Sequence, residues 1–123
     1  MTNRILVVED QEDLREIARL ALERVGYEVV EAATGAEGIA KAETEHPDLV
    51  LMDIQLPVLD GYESTRRIRA LPGMARTTII AVSSFAMRGD EEKARAVGCD
   101  GYVTKPYSPK QLVDLVRQFL AKT

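Results

Sequence analysis

Short apolar runs alternate with helical apolar stripes from one end of the chain to the other. Runs rich in β-branched side chains fall at Arg4–Val8, residues 49–52 and residues 78–82. Such runs are typical of strands that are buried on both faces. Two further runs, Glu28–Ala32 and residues 101–103, predict two more strands.

Between the strands, apolar residues recur at the spacing of an α-helix. The first stripe ends at Gly26 and contains Leu14, Ile17, Ala18, Ala21, Leu22 and Val25. This spacing predicts an amphipathic helix with a glycine stop. The other four segments open with helix-start signals: Thr34 with Glu37, Asp60 before Gly61, the acids at 90–92, and Ser108 with Pro109 and Gln111.

Five repeats of strand and helix predict an α/β fold. Right-handed crossovers turn such a chain into an open, doubly wound, five-stranded parallel sheet with helices on both faces. A length of 123 residues fits one domain over residues 1–123. Folds of this class bind their ligands at the carboxyl ends of the strands.

The overall composition narrows the class of protein. A net charge of −4 argues against nucleic acid as the main partner, and no apolar stretch has the length of a membrane span. The single cysteine excludes an internal disulfide and fits a reducing compartment. Because the amino terminus leads straight into the first strand, we expect a cytoplasmic protein without a signal peptide. We also expect no attached output domain after the last helix.

Polar side chains with complementary chemistry follow four of the strands. Glu9 and Asp10 follow the first strand, Asp53 the third, Ser83 the fourth and Lys105 the fifth. Because the carboxyl ends of parallel strands share one edge, these groups converge in a single crevice that suits a divalent metal and a phosphoryl group. The simpler alternatives are that the acids cap helices, that Ser83 is a turn residue and that Lys105 is a solvated charge.

The order of these motifs matches one known family. The motifs are Glu9-Asp10, residues 53–57 followed by Asp60-Gly61, the hydroxyl of Ser83, and Lys105-Pro106. With them, the whole chain resembles the receiver domains of response regulators, of the chemotaxis-regulator (CheY-like) type. The resemblance implies the flavodoxin-like strand order 2-1-3-4-5. Residues 51–57 and 85–92 look most like stand-alone regulators of the cell-division-control type.

The resemblance also implies a role for each residue. Asp53 would be the phosphoacceptor, Lys105 would pair with Asp53 and then with the phosphoryl group, and Ser83 would donate to a phosphoryl oxygen. Ser83 keeps the hydroxyl at a position where the family more often has threonine. Tyr102 corresponds to an aromatic switch, with plain core packing as the alternative. The peptide bond before Pro106 is expected to be cis.

Magnesium is the cofactor that the resemblance implies. Asp10, Asp53 and the backbone carbonyl of Gln55 would be direct ligands, and Glu9 would act through a water molecule. Lys105 offsets only one of the three carboxylate charges. Mg²⁺ prefers a few carboxylates completed by water and phosphate oxygens, which fits this set of groups.

The implied function is a phosphotransfer switch in a two-component phosphorelay. The chain would take a phosphoryl group from a phosphohistidine on a sensor histidine kinase or a histidine phosphotransfer protein, and would signal to a separate downstream protein. Although it is not a conventional enzyme, it would catalyse its own phosphorylation and its own dephosphorylation. Gln55 and Phe85 would border the path of the hydrolytic water. We expect no nucleic-acid or membrane partner.

Two other functions use similar chemistry or the same fold. An aspartyl phosphatase usually needs a second Asp two positions after its nucleophile, where this chain has Gln55. A phosphate-independent interaction module typically loses the acceptor or the lysine, whereas this chain keeps Asp53 and Lys105.

Three other residues carry local expectations. Gly61 is expected to supply a positive φ next to the site. Cys99 is expected to be a small buried hydrophobe. His46 is expected to lie in a loop, because a single histidine makes no zinc site.

Overall fold

The computed structural model describes residues 2–84 and 89–121. Within them, five parallel strands form one sheet in the order β2-β1-β3-β4-β5, which confirms the predicted topology. The strands are β1 Arg4–Val8, β2 Glu28–Ala32, β3 Leu49–Asp53, β4 Thr78–Ser83 and β5 Gly101–Thr104. The helices are α1 Glu12–Arg24, α2 Gly35–Glu45, α3 Gly61–Arg69, α4 Asp90–Ala96 and α5 Pro109–Leu120.

Helices cover both faces of the sheet because alternate residues of the central strands are apolar on both sides. One core joins the sheet to α2, α3 and α4 through Ala42, Ile68 and Ala94. The other core joins it to α1 and α5 through Leu22 and Leu112. The central strands therefore cannot shift without disturbing two packed layers, and their carboxyl ends are held rigidly.

Strand ends differ slightly from the sequence prediction. β3, β4 and β5 each extend one residue further, so that Asp53, Ser83 and Thr104 belong to the strands. The helix caps agree with the prediction: Asp60 Oδ1 accepts from the Glu63 amide, and Ser108 forms a complete capping box. None of the helices in the described part of the chain has the length and apolar character needed to cross a membrane.

The apolar stripe predicted for α1 is only partly buried. Ala18 and Leu22 lie in the core, but Ile17 is 46% exposed and Leu20, outside the stripe, is 51% exposed. Helix α1 packs on β1 and β2, and α5 is the helix that packs beside it. Periodicity gives the side of a helix that is apolar, but it does not give the neighbours that cover that side.

The expectation that Gly61 supplies a positive φ is wrong. Its φ is not positive, unlike those of Gly26, Gly73, Gly89 and Gly98. Instead, a Cβ at position 61 would lie 2.2 Å from the carbonyl oxygen of Asp53. Glycine is needed here because the backbone after β3 passes directly over the start of α3.

Candidate functional site

The strand register brings the predicted site residues together. Val8 pairs with Met52, Asp53 with Val82, and Ser83 with Thr104. Glu9 and Lys105 directly follow Val8 and Thr104, so all of these side chains start from one edge of the sheet. The geometry agrees with the sequence-based expectation of a single crevice.

A buried ion cluster occupies the centre of this edge. Lys105 Nζ lies 2.6 Å from Glu9 Oε1 and 3.2 Å from Asp53 Oδ2. Glu9 is 5% exposed and Asp53 is 3% exposed. The lysine is therefore not a solvated charge, and its shorter contact is to Glu9 rather than to Asp53.

The pKa of Lys105 reflects two opposed effects. Burial of the ammonium acts to lower its pKa, but the hydrogen bond that Lys105 donates to Glu9 and the negative charges of Asp53 and Glu9 outweigh burial. The pKa of Lys105 is raised as a result. The residue keeps its positive charge at neutral pH and stays available to pair with an anion.

The three acids form a group that fits a divalent cation. One oxygen each from Glu9, Asp10 and Asp53 lies within 4.8 Å of the other two. Carboxylate oxygens are the hard ligands that Mg²⁺ prefers. Helix capping does not explain Asp10 and Asp53, because the N-caps of the two nearby helices are Gln11 and Asp60. Glu9 does support the start of α1, where its Oε2 accepts from the Gln11 amide at 3.1 Å.

Gln55 makes several contacts that sequence reasoning missed. Its backbone N–H donates to Asp53 Oδ1 at 3.0 Å. Its side-chain Nε2 donates to Ser83 Oγ at 3.1 Å, and its Oε1 accepts from the Ser84 amide at 2.8 Å. The sequence offered one signal for this, namely an amide side chain two residues after the acceptor.

Tyr102 lies on the same face of the sheet as Ser83. It pairs with Ala81, two residues before Ser83, and packs half-buried against the core under α2, α3 and α4. This position allows either the switch role or plain core packing. Phe85, expected beside the water path, lies outside the described residues.

The segment after β5 carries the remaining features. The bond between Lys105 and Pro106 is cis, as expected. Tyr107, which sequence reasoning missed, packs against the core under α1 and α5. Burial raises the pKa of the Tyr107 hydroxyl, and the charge of Glu9 adds to the effect. The only sequence signal for Tyr107 was its place directly after Lys-Pro.

The local expectations for two other residues hold. Cys99 is a free, buried thiol with 6% exposure, and burial raises its pKa. His46 follows α2 as its C-cap and has a left-handed backbone with φ of 47°. Neither residue is part of the site.

Comparison with known proteins identifies the family. The family described as response regulator receiver domain matches residues 5–117. The polar-differentiation response regulator DivK of Brucella ovis is 38% identical over 120 residues, which is 98% of each chain.

Two solved structures have the same fold. Chemotaxis protein CheY4 of Vibrio cholerae superposes with a TM-score of 0.92 at 28% identity, covering 96% of this chain and 98% of that one. The receiver domain of the sensor histidine kinase PA1611 of Pseudomonas aeruginosa has a TM-score of 0.89 at 35% identity, covering 98% of this chain and 99% of that one. That neighbour was crystallised with a magnesium ion coordinated in its active-site cleft. The chain therefore belongs to the response regulator receiver domain family.

Proposed function

We propose that Asp53 accepts a phosphoryl group from a phosphohistidine and later loses it by hydrolysis. Receiver domains of this kind take phosphoryl groups from histidine kinases. The observation that carries the proposal is the buried contact of Lys105 with Glu9 and Asp53. Such a contact is not needed for folding alone, since buried charge pairs add little net stability.

The transfer requires one bond to form and another to break. A carboxylate oxygen of Asp53 bonds to phosphorus while the bond between phosphorus and the histidine nitrogen breaks. In the later hydrolysis, water attacks phosphorus, the bond between phosphorus and the Asp53 oxygen breaks, inorganic phosphate leaves and the carboxylate is restored. Asp53 Oδ1 is held by the Gln55 amide and Oδ2 by Lys105, so the carboxylate is oriented before the donor arrives.

Charge is the main obstacle, because an anionic carboxylate must approach an anionic phosphoryl group. Lys105 Nζ lies 3.2 Å from Asp53 Oδ2, close enough to pair with the phosphoryl oxygens once the group is bound to Asp53. When bound, Mg²⁺ would offset the remaining repulsion, with Asp10, Asp53 and the carbonyl of Gln55 as direct ligands and Glu9 acting through water. The acidic trio supports this assignment.

Ser83 and Tyr102 would turn phosphorylation into a signal for a separate protein. Ser83 would donate to a phosphoryl oxygen, and its movement would leave space for the Tyr102 ring on the same sheet face. The two positions are linked through the paired ends of β4 and β5. The change is a shift between two states, whose size is limited by how differently the phosphoryl group interacts with each.

The phosphatase alternative finds no support at its key position. An acid is required two residues after the nucleophile, but Gln55 is an amide whose two ends are both engaged, with Ser83 and with Ser84. The phosphate-independent module remains the second candidate. The partly buried lysine between the buried carboxylates of Glu9 and Asp53 favours phosphotransfer over it, because an interaction module has no need of that arrangement.

An apolar surface beside the site supports a protein donor. A cavity of about 150 Å³ lies between α1 and the segment after β5, lined by Leu14, Ile17, Lys105, Pro106 and Tyr107. Lys105 belongs to both this cavity and the acidic site, so a partner on α1 would reach Asp53. We assign this surface to the protein that carries the phosphohistidine.

Two matched lysine substitutions test the donor surface. Leu20 is exposed and lines a groove on α1 together with Ile17, which also lines the cavity, so Leu20→Lys adds charge at the border of the donor surface. Ala40→Lys adds the same charge to an exposed position of α2, across the sheet. The purified histidine kinases of the source organism are first compared, and the one that transfers phosphate fastest to the wild type is used as the donor. Leu20→Lys should slow transfer from that kinase by about tenfold. It should not change labelling by acetyl phosphate, and Ala40→Lys should change neither. Equal effects of the two substitutions would contradict the assignment.

The acceptor itself is tested by intact-mass measurement after treatment with acetyl phosphate and Mg²⁺. One labile phosphoryl adduct should form on the wild type and be absent from Asp53→Asn. Asp60→Asn is the matched control, because Asp60 is an exposed cap residue close by. Undiminished labelling of Asp53→Asn would refute the proposal.

A further inference from the structure

Arg15 of helix α1 reaches back to the turn that carries Glu9 and Asp10. Its Nη1 donates to the backbone carbonyl of Glu9 at 2.8 Å, and its Nε lies 3.3 Å from Glu31 Oε1 on β2. Most of the Arg15 side chain is shielded from solvent. The guanidinium therefore ties the turn after β1 to the neighbouring strand.

The backbone of Glu9 is fixed at both of its polar groups. Its N–H donates to the Ala32 carbonyl at 3.0 Å, and its carbonyl accepts from Arg15. Because a peptide unit is planar, holding the Glu9 carbonyl also sets the plane of the bond to Asp10 and the place of the Asp10 Cα. Asp10 itself is exposed, so packing does little to fix it, and the backbone beneath it decides whether its carboxylate lies beside those of Glu9 and Asp53.

A guanidinium is suited to this bridge between a carbonyl and a carboxylate. Its N–H groups project in a rigid plane, so that one of them can bind the Glu9 carbonyl while another binds Glu31. Glu31 is fixed in turn by the sheet, where it pairs with Val7, and its second oxygen lies 3.4 Å from Arg19 Nε. Arg15 is therefore anchored on β2 at one end and holds the acidic turn at the other.

We propose that Arg15 is a positioning residue for the Mg²⁺ site: by holding the turn of Glu9 and Asp10, it keeps the Asp10 carboxylate beside that of Asp53. This inference rests on the proposed function, in which Asp10 and Asp53 are ligands of Mg²⁺. Partners that orient metal ligands commonly contribute about 10–100-fold to metal affinity. Arg15 contacts the backbone rather than a ligand side chain, so we expect an effect at the lower end of that range, about tenfold.

The sign of the effect separates positioning from simple electrostatics. A positive charge near the three carboxylates repels a divalent cation, so the loss of charge alone in an Arg15 variant would strengthen Mg²⁺ binding. The loss of positioning would weaken it. Arg19 provides the matched control on the same helix, because it also pairs with Glu31, and its other ion pairs are with the side chains of Glu16 and Glu23. Arg19→Met removes the same charge and leaves the contact with the Glu9 carbonyl in place.

Titration calorimetry of the full chain with Mg²⁺ at pH 7 tests the inference. Arg15→Met should raise the Kd for Mg²⁺ about tenfold, and Arg19→Met should change it less than about twofold. Arg15→Lys should raise it about threefold or more, because lysine keeps the charge but cannot hold the carbonyl and the carboxylate together. A Kd for Arg15→Met that is equal to or lower than that of the wild type would overturn the inference, as would equal weakening in Arg19→Met.

Labelling by acetyl phosphate provides a second readout. The Mg²⁺ concentration that gives half of the maximal rate should rise about tenfold in Arg15→Met, while the rate at saturating Mg²⁺ stays within about twofold of the wild type. A lower maximal rate with an unchanged dependence on Mg²⁺ would contradict a role in the metal site. Urea unfolding in EDTA checks that each variant is folded, and Arg15→Lys decides the test if Arg15→Met is not.

Asp10→Asn distinguishes this inference from the proposed function. A Kd for Mg²⁺ that is unchanged in Asp10→Asn contradicts Asp10 as a ligand, whatever the Arg15 variants do. A Kd that rises in Asp10→Asn but not in Arg15→Met contradicts only the positioning role of Arg15.

Discussion

Removing the buried ammonium is the sharpest stability test of the site. Lys105→Met keeps a side chain of similar length but leaves Glu9 and Asp53 as two buried carboxylates without their shared partner. Breaking a fully buried ion pair by removing one partner costs about 3–5 kcal/mol. Because the Lys105 side chain retains 13% exposure at the open edge of the sheet, we expect about 2–4 kcal/mol here.

The matched control is an ion pair of similar length on the surface. Lys110 Nζ lies 2.9 Å from Asp114 Oδ2, but the two side chains are 85% and 55% exposed. Exposed pairs of this kind contribute less than about 1 kcal/mol. Lys110→Met therefore removes the same charge from the chain without uncovering a buried carboxylate.

Equilibrium urea unfolding at pH 7 in EDTA, followed by circular dichroism, measures both variants. With a slope of about 1.5 kcal/mol per molar urea, Lys105→Met should lower the midpoint by about 1.3–2.7 M, and Lys110→Met by less than about 0.7 M. Equal midpoints for the two variants would refute the reasoning, because burial of the cluster would then have no energetic consequence.

Three other results are expected. Mg²⁺ at ten times the wild-type Kd should stabilise the wild type by about 1.4 kcal/mol, and the same concentration should stabilise Asp10→Asn by less. Thermal unfolding with Mg²⁺ and with EDTA measures both effects, and equal stabilisation would contradict the role of Asp10 as a ligand. The pKa of Lys105 is raised above its unfolded value of 10.5, so its contribution is complete below pH 10.5 and is lost as pH rises through the folded value. The urea midpoints of the wild type and Lys105→Met should therefore converge only above that pH. Convergence near pH 8 would contradict a raised pKa for Lys105. Beryllofluoride with Mg²⁺ should shift the NMR signals of Asp53, Ser83 and Tyr102 together, and an unmoved Tyr102 would refute the switch.

The strands and the place of the site were predictable because both depend on local patterns. Short apolar runs gave β1 and β2 with their observed ends and the other three strands to within one residue. The crossover rule then required the polar residues after the strands to share an edge, which holds for Asp53, Ser83 and Lys105. No tertiary information was needed for either step.

The side-chain contacts within the site were not predictable in the same way. The Lys105–Glu9 pair and the Gln55–Ser83 bond join residues far apart in sequence, and each depends on side-chain directions that no periodicity encodes. The exposure of Ile17 depends on which helices flank α1. The sequence drew attention to Gly61, but glycine is required there because the backbone at Asp53 comes too close for a Cβ, and this approach is visible only in the fold.

Transfer of labelled phosphate from autophosphorylated histidine kinases of the source organism tests the central claim most directly. At least one kinase should pass its label rapidly to the chain, and the product should be alkali-labile, as expected for an acyl phosphate. The label should be absent from Asp53→Asn and retained by Asp60→Asn. Transfer to Asp53→Asn at the wild-type rate would contradict Asp53 as the acceptor and with it the proposed phosphorelay function.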